Sequence, residues 1–273
     1  FQTAAVKALE AEGYSAGAYF TPRLEADGLH IAKDARSPQS SATSQALNNS
    51  VSLFIEIRGI GLGRVSFARR AHCGFVVARS LLQTAASHRR QVKQAVKQAL
   101  KETCGLKNKV VVTSVPATVN WPVSFISLSE NKRFVATLPA YDARNLQPVL
   151  VRERPAAYVL ADTCTRAVAN LRALGIRVDS VAEPIEAEVE RYRVIACQAD
   201  AHEWEKIHPV QVETRVEKVH ARLEAGCYLV PLAQQRGNLA ATLLEPESYN
   251  GFVHFNVLAA EAGQLLPVCR LLE

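Results

Sequence analysis

Apolar and helix-favouring residues recur at a helical period from Thr3 to Glu12, with Val6 and Leu9 on one face, and Gly13 supplies a stop. From Thr21 to Asn49 the period is lost among Pro22, Gly28, Pro38 and a run of Ser, Gln, Thr and Asn, which predicts a long loop. Val51 to Ile57 is then continuously apolar, β-branched and aromatic apart from Glu56, the pattern of a strand buried on both faces of a largely parallel sheet. Arg58-Gly-Ile-Gly-Leu-Gly-Arg64 turns the chain. Ser66 reads as the N-cap of a helix running to about Ser87, with Phe75, Val76, Leu81 and Leu82 inward. A second helix follows from Arg89 to Glu102 and ends at Gly105; it sets Val92, Val96 and Leu100 against Lys93, Lys97 and Lys101.

Beyond Gly105 the texture changes to short strands, Val110 to Val115, Val123 to Leu128 and Phe134 to Leu138. A helix capped by Asp162 follows, with Cys164, Val168 and Leu171 inward and Gly175 as its stop. Two later runs alternate strictly. Ile185, Ala187 and Val189 oppose Glu186, Glu188 and Glu190, and Val210, Val212, Thr214 and Val216 oppose Gln211, Glu213, Arg215 and Glu217. The expected organisation is an α/β domain over residues 1–104, a mostly parallel sheet with flanking helices, followed by a mainly antiparallel β plus α domain over 105–273. No internal repeat or low-complexity tract is visible.

Composition narrows the classes. With 273 residues, 48% apolar and 21% charged, the chain is not intrinsically disordered. No apolar run approaches the roughly 20 residues of a bilayer-spanning helix, so no membrane partner is expected. Met is absent and the chain begins at Phe1, so it reads as a fragment whose N-terminus lies upstream. The net charge of +6 is concentrated: Ile57 to Lys101 holds ten Lys or Arg and no acid, and acids outnumber bases elsewhere. Six scattered cysteines form no C-x-x-C pair, a distribution expected of buried free thiols.

Glu56 is the residue that most needs a chemical reason, because a carboxylate in an apolar strand must be paired, exposed or functional. An ion pair with Arg58 or Arg64, an exposed strand end, or a functional carboxylate at the carboxyl edge of an open sheet are the three possibilities. Glycines 59, 61 and 63 imitate a phosphate-cradling loop. The third glycine of G-x-G-x-x-G falls on Arg64, no ribose-binding acid occurs before Glu102, and no Gly-Lys-Ser/Thr is present, so nucleotide binding is not expected. A non-catalytic alternative is a binding module that uses the basic helix 89–101, where Arg89, Lys93, Lys97 and Lys101 recur at i, i+4. No aromatics interleave with those charges, as base stacking requires, so nucleic acid is not the expected partner.

Ser52-Leu-Phe-Ile-Glu-Ile-Arg-Gly59, its glycine-rich continuation to Arg64 and Phe67-Ala-Arg-Arg70 resemble the stretch that carries the catalytic glutamate in bacterial zinc carboxypeptidases related to carboxypeptidase A. Leu244 to Asn256 and Arg154 to Val181 are similar to the β-rich tail that certain bacterial members append. The resemblance implies zinc-assisted hydrolysis of C-terminal peptide bonds, a peptide substrate, and a periplasmic or secreted setting. It makes Glu56 the proton shuttle and leaves Arg58 and Arg64 to orient that carboxylate or meet anionic substrate groups.

The departures are equally specific. The family's zinc ligands, a His-x-x-Glu pair and a later His, precede the glutamate, whereas only His30 precedes Glu56 here, so this chain is expected to supply no metal ligand and to be inactive alone. His202-Glu-Trp-Glu205 has the spacing but reads as an exposed loop between two strands. A Gly-Arg-Asn triplet common in relatives is replaced by Ser41-Ala42-Thr43. A degenerate, metal-free homologue acting in assembly is the further alternative.

Overall fold

The computed structural model describes residues 1–34, 36–59, 61–105 and 108–272. Helix α1 (Gln2–Ala11) ends before Gly13, at φ +80°. The expected long loop is more ordered than its composition suggested: it holds a hairpin of β1 (Phe20–Glu25) and β2 (Gly28–Lys33) and a short helix, α2 (Ser41–Ala46). The hairpin pairs Glu25 with Gly28 around Ala26 and Asp27, and its Asp-Gly dipeptide is a turn signal. A 3-10 turn (Gly63–Ser66) leads into α3 (Phe67–Ser87), and α4 (Arg89–Cys104) follows it. Val76 and Val77 of α3 are buried, whereas Phe75 and Leu82, expected inward, face solvent.

The three short strands expected after Gly105 are instead two long ones, β3 (Val110–Ser127) and β4 (Lys132–Arg152), paired antiparallel along their length. Register shifts, one of them at Pro116/Ala117, divide the ladder. These irregularities broke the alternation that would have revealed continuous strands. Downstream lie β5 (Ala157–Leu160), α5 (Thr165–Ala173), β6 (Asp179–Ser180), β7 (Ile185–Ala199), β8 (Val210–Leu223), β9 (Tyr228–Pro231), α6 (Gly237–Leu244) and β10 (Leu265–Leu271). Cys164, not Asp162, occupies the N-cap of α5, and its side chain makes no capping bond.

Two sheets result, β1-β2-β4-β3 and β6-β9-β5-β10-β7-β8. This corrects the expected α/β class, since among the described residues no large parallel sheet flanked by helices exists. The one parallel junction, β2 with β4, spans Ile31↔Ala140, Ala32↔Tyr141 and Lys33↔Asp142, and every other pairing is antiparallel. The reason lies at residues 51–57. Their side chains have the composition of a central strand, but a strand is made by cross-strand hydrogen bonds, and no ladder pairs with them among the described residues.

The main core forms where the six-stranded sheet meets α5 and α6. Tyr158, Leu160, Tyr192, Val194, Val230 and Val268 face Val168 and Leu171 of α5 and Leu239, Ala240 and Leu244 of α6. Alternation along β5 and β7 sends Val159 and Val189 to the opposite face, where they join Ala221 and Leu223. Ile31, Val123 and Ala140 form a smaller cluster in the four-stranded sheet.

Candidate active-site segment

Residues 51–59 run as an extended, unpaired stretch that is fastened at both ends. At its start, Ser52 Oγ donates to the carbonyl of Ala42 in α2 at 2.5 Å. Just before it, Asn49 adopts φ +58° and donates from its side-chain amide to the Gln235 carbonyl. Midway, Phe54 meets the edge of Tyr19. Near its end, Ile57 fills the space left by Gly74 in α3, its Cδ1 lying 3.5 Å from where a Cβ would stand.

The turn after Glu56 is built more tightly. Gly59 sits at φ +145°, and a Cβ there would lie 2.8 Å from Arg70 Cγ and 2.8 Å from Ser66 Oγ. Ser66 is buried and its hydroxyl donates to the Gly59 carbonyl at 3.1 Å. It stands at the N-cap of α3 as expected, yet it spends its hydrogen on the turn and makes no cap bond to the helix. Arg69 Nη2 donates to the Arg58 carbonyl at 2.8 Å. Arg69 and Ser66 therefore hold the carbonyls two and three residues beyond Glu56. Ile60, within the same motif, lies outside the described residues.

Glu56, Arg58 and Arg64 are all exposed, and among the described residues none of their side chains enters an ion pair or hydrogen bond. The structural ion pair is thus removed as a reason for Glu56. The segment brings Glu56 and Arg58 within one turn region, with Arg64 opening the 3-10 turn, and all three remain open to solvent. Apolar neighbours share that exposure: Phe54 is 58% exposed and Val51 51%, and Phe67 and Phe75 of α3 are exposed as well.

His202 and Glu205 are exposed in the β7–β8 connection, where Trp204 bridges to Ile207 and His202 lies 3.5 Å from Asp200. Ser41-Ala42-Thr43 opens α2. Arg89, Lys93, Lys97 and Lys101 are all exposed on α4. The six cysteines are free thiols, and burial pushes the Cys269 thiol up to about 11.

Sequence reasoning missed a buried cluster of charged side chains. Glu245, 0% exposed at the end of α6, accepts from Tyr158 Oη at 2.6 Å and from Arg152 Nη1 at 2.6 Å. Arg152 also clasps both oxygens of Glu247, at 2.7 and 2.8 Å, and Thr214 Oγ1 donates to Glu247 at 2.6 Å. Arg270, 3% exposed, adds Nε 3.5 Å from Glu245 and pairs with Glu190. Burial opposes charge on both Arg152 and Glu247; their mutual pairing outweighs it, holding the guanidinium above and the Glu247 carboxyl below their ordinary values. The Leu244–Asn256 motif therefore carries a structural ion network.

Comparison with known proteins bears on the open question at Glu56. Over 228 residues the chain is 27% identical to "Carboxypeptidase 2" of Trichophyton rubrum, covering 84% of this chain and 42% of that protein. Over 266 residues it is 26% identical to "Carboxypeptidase 2" of Trichophyton equinum, covering 97% and 49% respectively. The chain is thus similar, at low identity, to proteins named carboxypeptidase 2. "Probable carboxypeptidase 2" of Arthroderma benhamiae matches at 26% identity over 202 residues, 74% of this chain and 38% of its own length. The chain spans less than half the length of the relatives it matches, and those relatives are fungal. Their names specify a carboxypeptidase and no metal. No family model matches the chain, and no solved structure matches it.

Proposed function

We propose that the chain is the C-terminal portion of a peptidase that removes residues from the C-termini of peptides, and that Glu56 is its general base. The observation that carries this reading is the similarity to fungal carboxypeptidases along 84–97% of the chain, which takes in the Glu56 turn. The geometry of the turn supports it. Ser66 and Arg69 fix the backbone beside Glu56 while leaving its carboxylate free to accept a proton from an attacking water and return it to the departing amine. Arg58 and Arg64, exposed and without a side-chain partner among the described residues, are the proposed contacts for an anionic substrate group.

The zinc implied by the resemblance has no matching ligand set here. Among the described residues, the one group with three converging ligand atoms is Glu25, Asp27 and His30, which lacks the His-x-x-Glu pair with a later His. No step is therefore assigned to a metal, and its ligands are proposed to lie on chain outside these residues. That same additional chain would cover the exposed apolar side chains of 51–55 and α3.

The test is a carboxypeptidase assay on the longer protein containing this chain, with a blocked peptide whose C-terminal residue is released. Glu56→Gln is expected to lower turnover by about 10²–10⁴-fold while the protein stays folded, and chelation should abolish activity in the parent. Near-parental turnover in Glu56→Gln would remove the assignment.

A further inference from the structure

The β1–β2 hairpin carries a second chemical feature, separate from Glu56. His30 of β2 is 8% exposed, and its ring stacks on Tyr141 of β4 with centroids 5.5 Å apart and planes 17° from parallel. Its Nε2 lies 2.9 Å from Asp27 Oδ1 at the hairpin turn. A neutral imidazole has one N–H, so donation from Nε2 to Asp27 leaves Nδ1 with a bare lone pair. That buried Nδ1 has no hydrogen-bond partner, and it faces Glu25 Oε2 at 3.9 Å, too far for a hydrogen bond. Tyr141 Oη donates to the same Glu25 oxygen at 2.9 Å and holds it in place.

A gap of this size has a natural occupant. An ion bound at about 2.1 Å from both nitrogen and oxygen separates them by about 3.4 Å at a tetrahedral angle, so a small rotation of Glu25 closes the 3.9 Å gap. The Asp27 carboxylate on the far nitrogen is the partner that usually orients a metal-bound histidine. One imidazole nitrogen among the donors selects against calcium and magnesium, which take oxygen, and in favour of borderline divalent ions.

We propose that His30 Nδ1 and the Glu25 carboxylate form a site for a divalent transition-metal ion, zinc foremost, with Asp27 orienting the imidazole. Its occupation would tie the hairpin turn to β4 through Tyr141. The site is independent of the carboxypeptidase reading, because its evidence is the geometry of the hairpin and its readout is binding.

The test uses the whole chain, stripped of metal, in a Cys197→Ser background so that the exposed thiol does not compete. Zinc chloride is titrated by calorimetry and followed by the nitrogen resonances of the imidazoles. One equivalent is expected to bind, with the Nδ1 resonance of His30 moving and Nε2 remaining protonated. His30→Gln and Glu25→Gln should each weaken binding at least about 10-fold, and Asp27→Asn by about 10–100-fold, with His202→Gln unchanged. Parental affinity in His30→Gln, or a His30 Nδ1 resonance that does not respond to zinc in the unmutated chain, would overturn the proposal. The second readout needs no variant and so stands even if His30→Gln fails to fold.

Discussion

Removing the Glu245 carboxylate should destabilise the protein more than any surface substitution. The side chain is fully buried and serves three groups at once: Tyr158, Arg152 and, at 3.5 Å, Arg270. In Glu245→Ala, Tyr158 Oη loses its acceptor, and two guanidiniums with 9% and 3% of their side chains exposed lose the charge between them. Breaking a buried pair from one side costs about 3–5 kcal/mol. With a urea dependence of about 2 kcal/mol per molar, the unfolding midpoint should fall by about 1.5–2.5 M. Glu245→Gln, which keeps the shape and one acceptor, should cost about 1.5–3 kcal/mol, the range for a hydrogen bond to a charged group. The assay is urea unfolding followed by far-ultraviolet circular dichroism. Glu188→Ala serves as the control: it breaks the Lys218–Glu188 pair, 2.6 Å long but about half exposed on both sides, and should leave the unfolding midpoint almost unchanged. If Glu245→Ala costs no more than Glu188→Ala, the network is not closed in the way described and the reasoning fails.

Gly59→Ala should destabilise the turn by about 1–3 kcal/mol, because it forces a side chain into a positive-φ conformation against Arg70 and Ser66; in the longer protein, activity should fall alongside thermal stability, and an unchanged Tm would refute the tight-turn account. Acid should unfold the chain through Asp142 and Glu247. Hydrogen bonds from Arg144, then Lys33, hold the Asp142 carboxyl well below its usual value, and Arg152 holds Glu247 down against the opposing effect of burial. Both folded values are depressed, so the stabilisation is present above the unfolded values of about 3.9 and 4.3 and is lost as pH falls beneath them. A Tm constant between about pH 5 and 7 and dropping below about pH 4 is expected, with the drop reduced in Asp142→Asn; a flat profile would contradict the pairing. At pH 8, alkylation with iodoacetamide should label exposed Cys197 well before Cys269, whose thiol burial holds at about 11, and mass mapping of the modified peptides checks the order.

What the sequence revealed and what it hid divide along sequence separation. Helices α1, α3, α4 and α5 were legible because each is a local period with a local stop, and the alternation of β7 and β8 marked two half-wet strands that do pair with each other. The hairpin of β1 and β2 was concealed by composition, and the Asp27-Gly28 turn signal within the expected loop is what could have found it. The buried network was invisible for a different reason. Arg152 and Glu245 stand 93 residues apart, and neither carries any local sign that the other is its partner. Glu56 attracted attention through its apolar neighbours, whereas Glu245, followed by a proline and another glutamate, looked like ordinary surface sequence.

The stretch from Val51 to Ile57 shows the same division from the other side. Its residues were read as a doubly buried strand on composition alone, but burial and pairing depend on neighbours that a local pattern cannot supply. Val51, Leu53, Phe54 and Ile55 remain 37–58% exposed. Fully burying an apolar side chain of this kind is worth about 1.5–3 kcal/mol, so half-exposed side chains on four consecutive or near-consecutive positions leave several kcal/mol of burial unrealised. An edge so apolar and unpaired is ordinarily blunted by charge or proline, and here Glu56 is the single charge within it. The cost of keeping this segment extended and exposed follows from its having no ladder partner among the described residues.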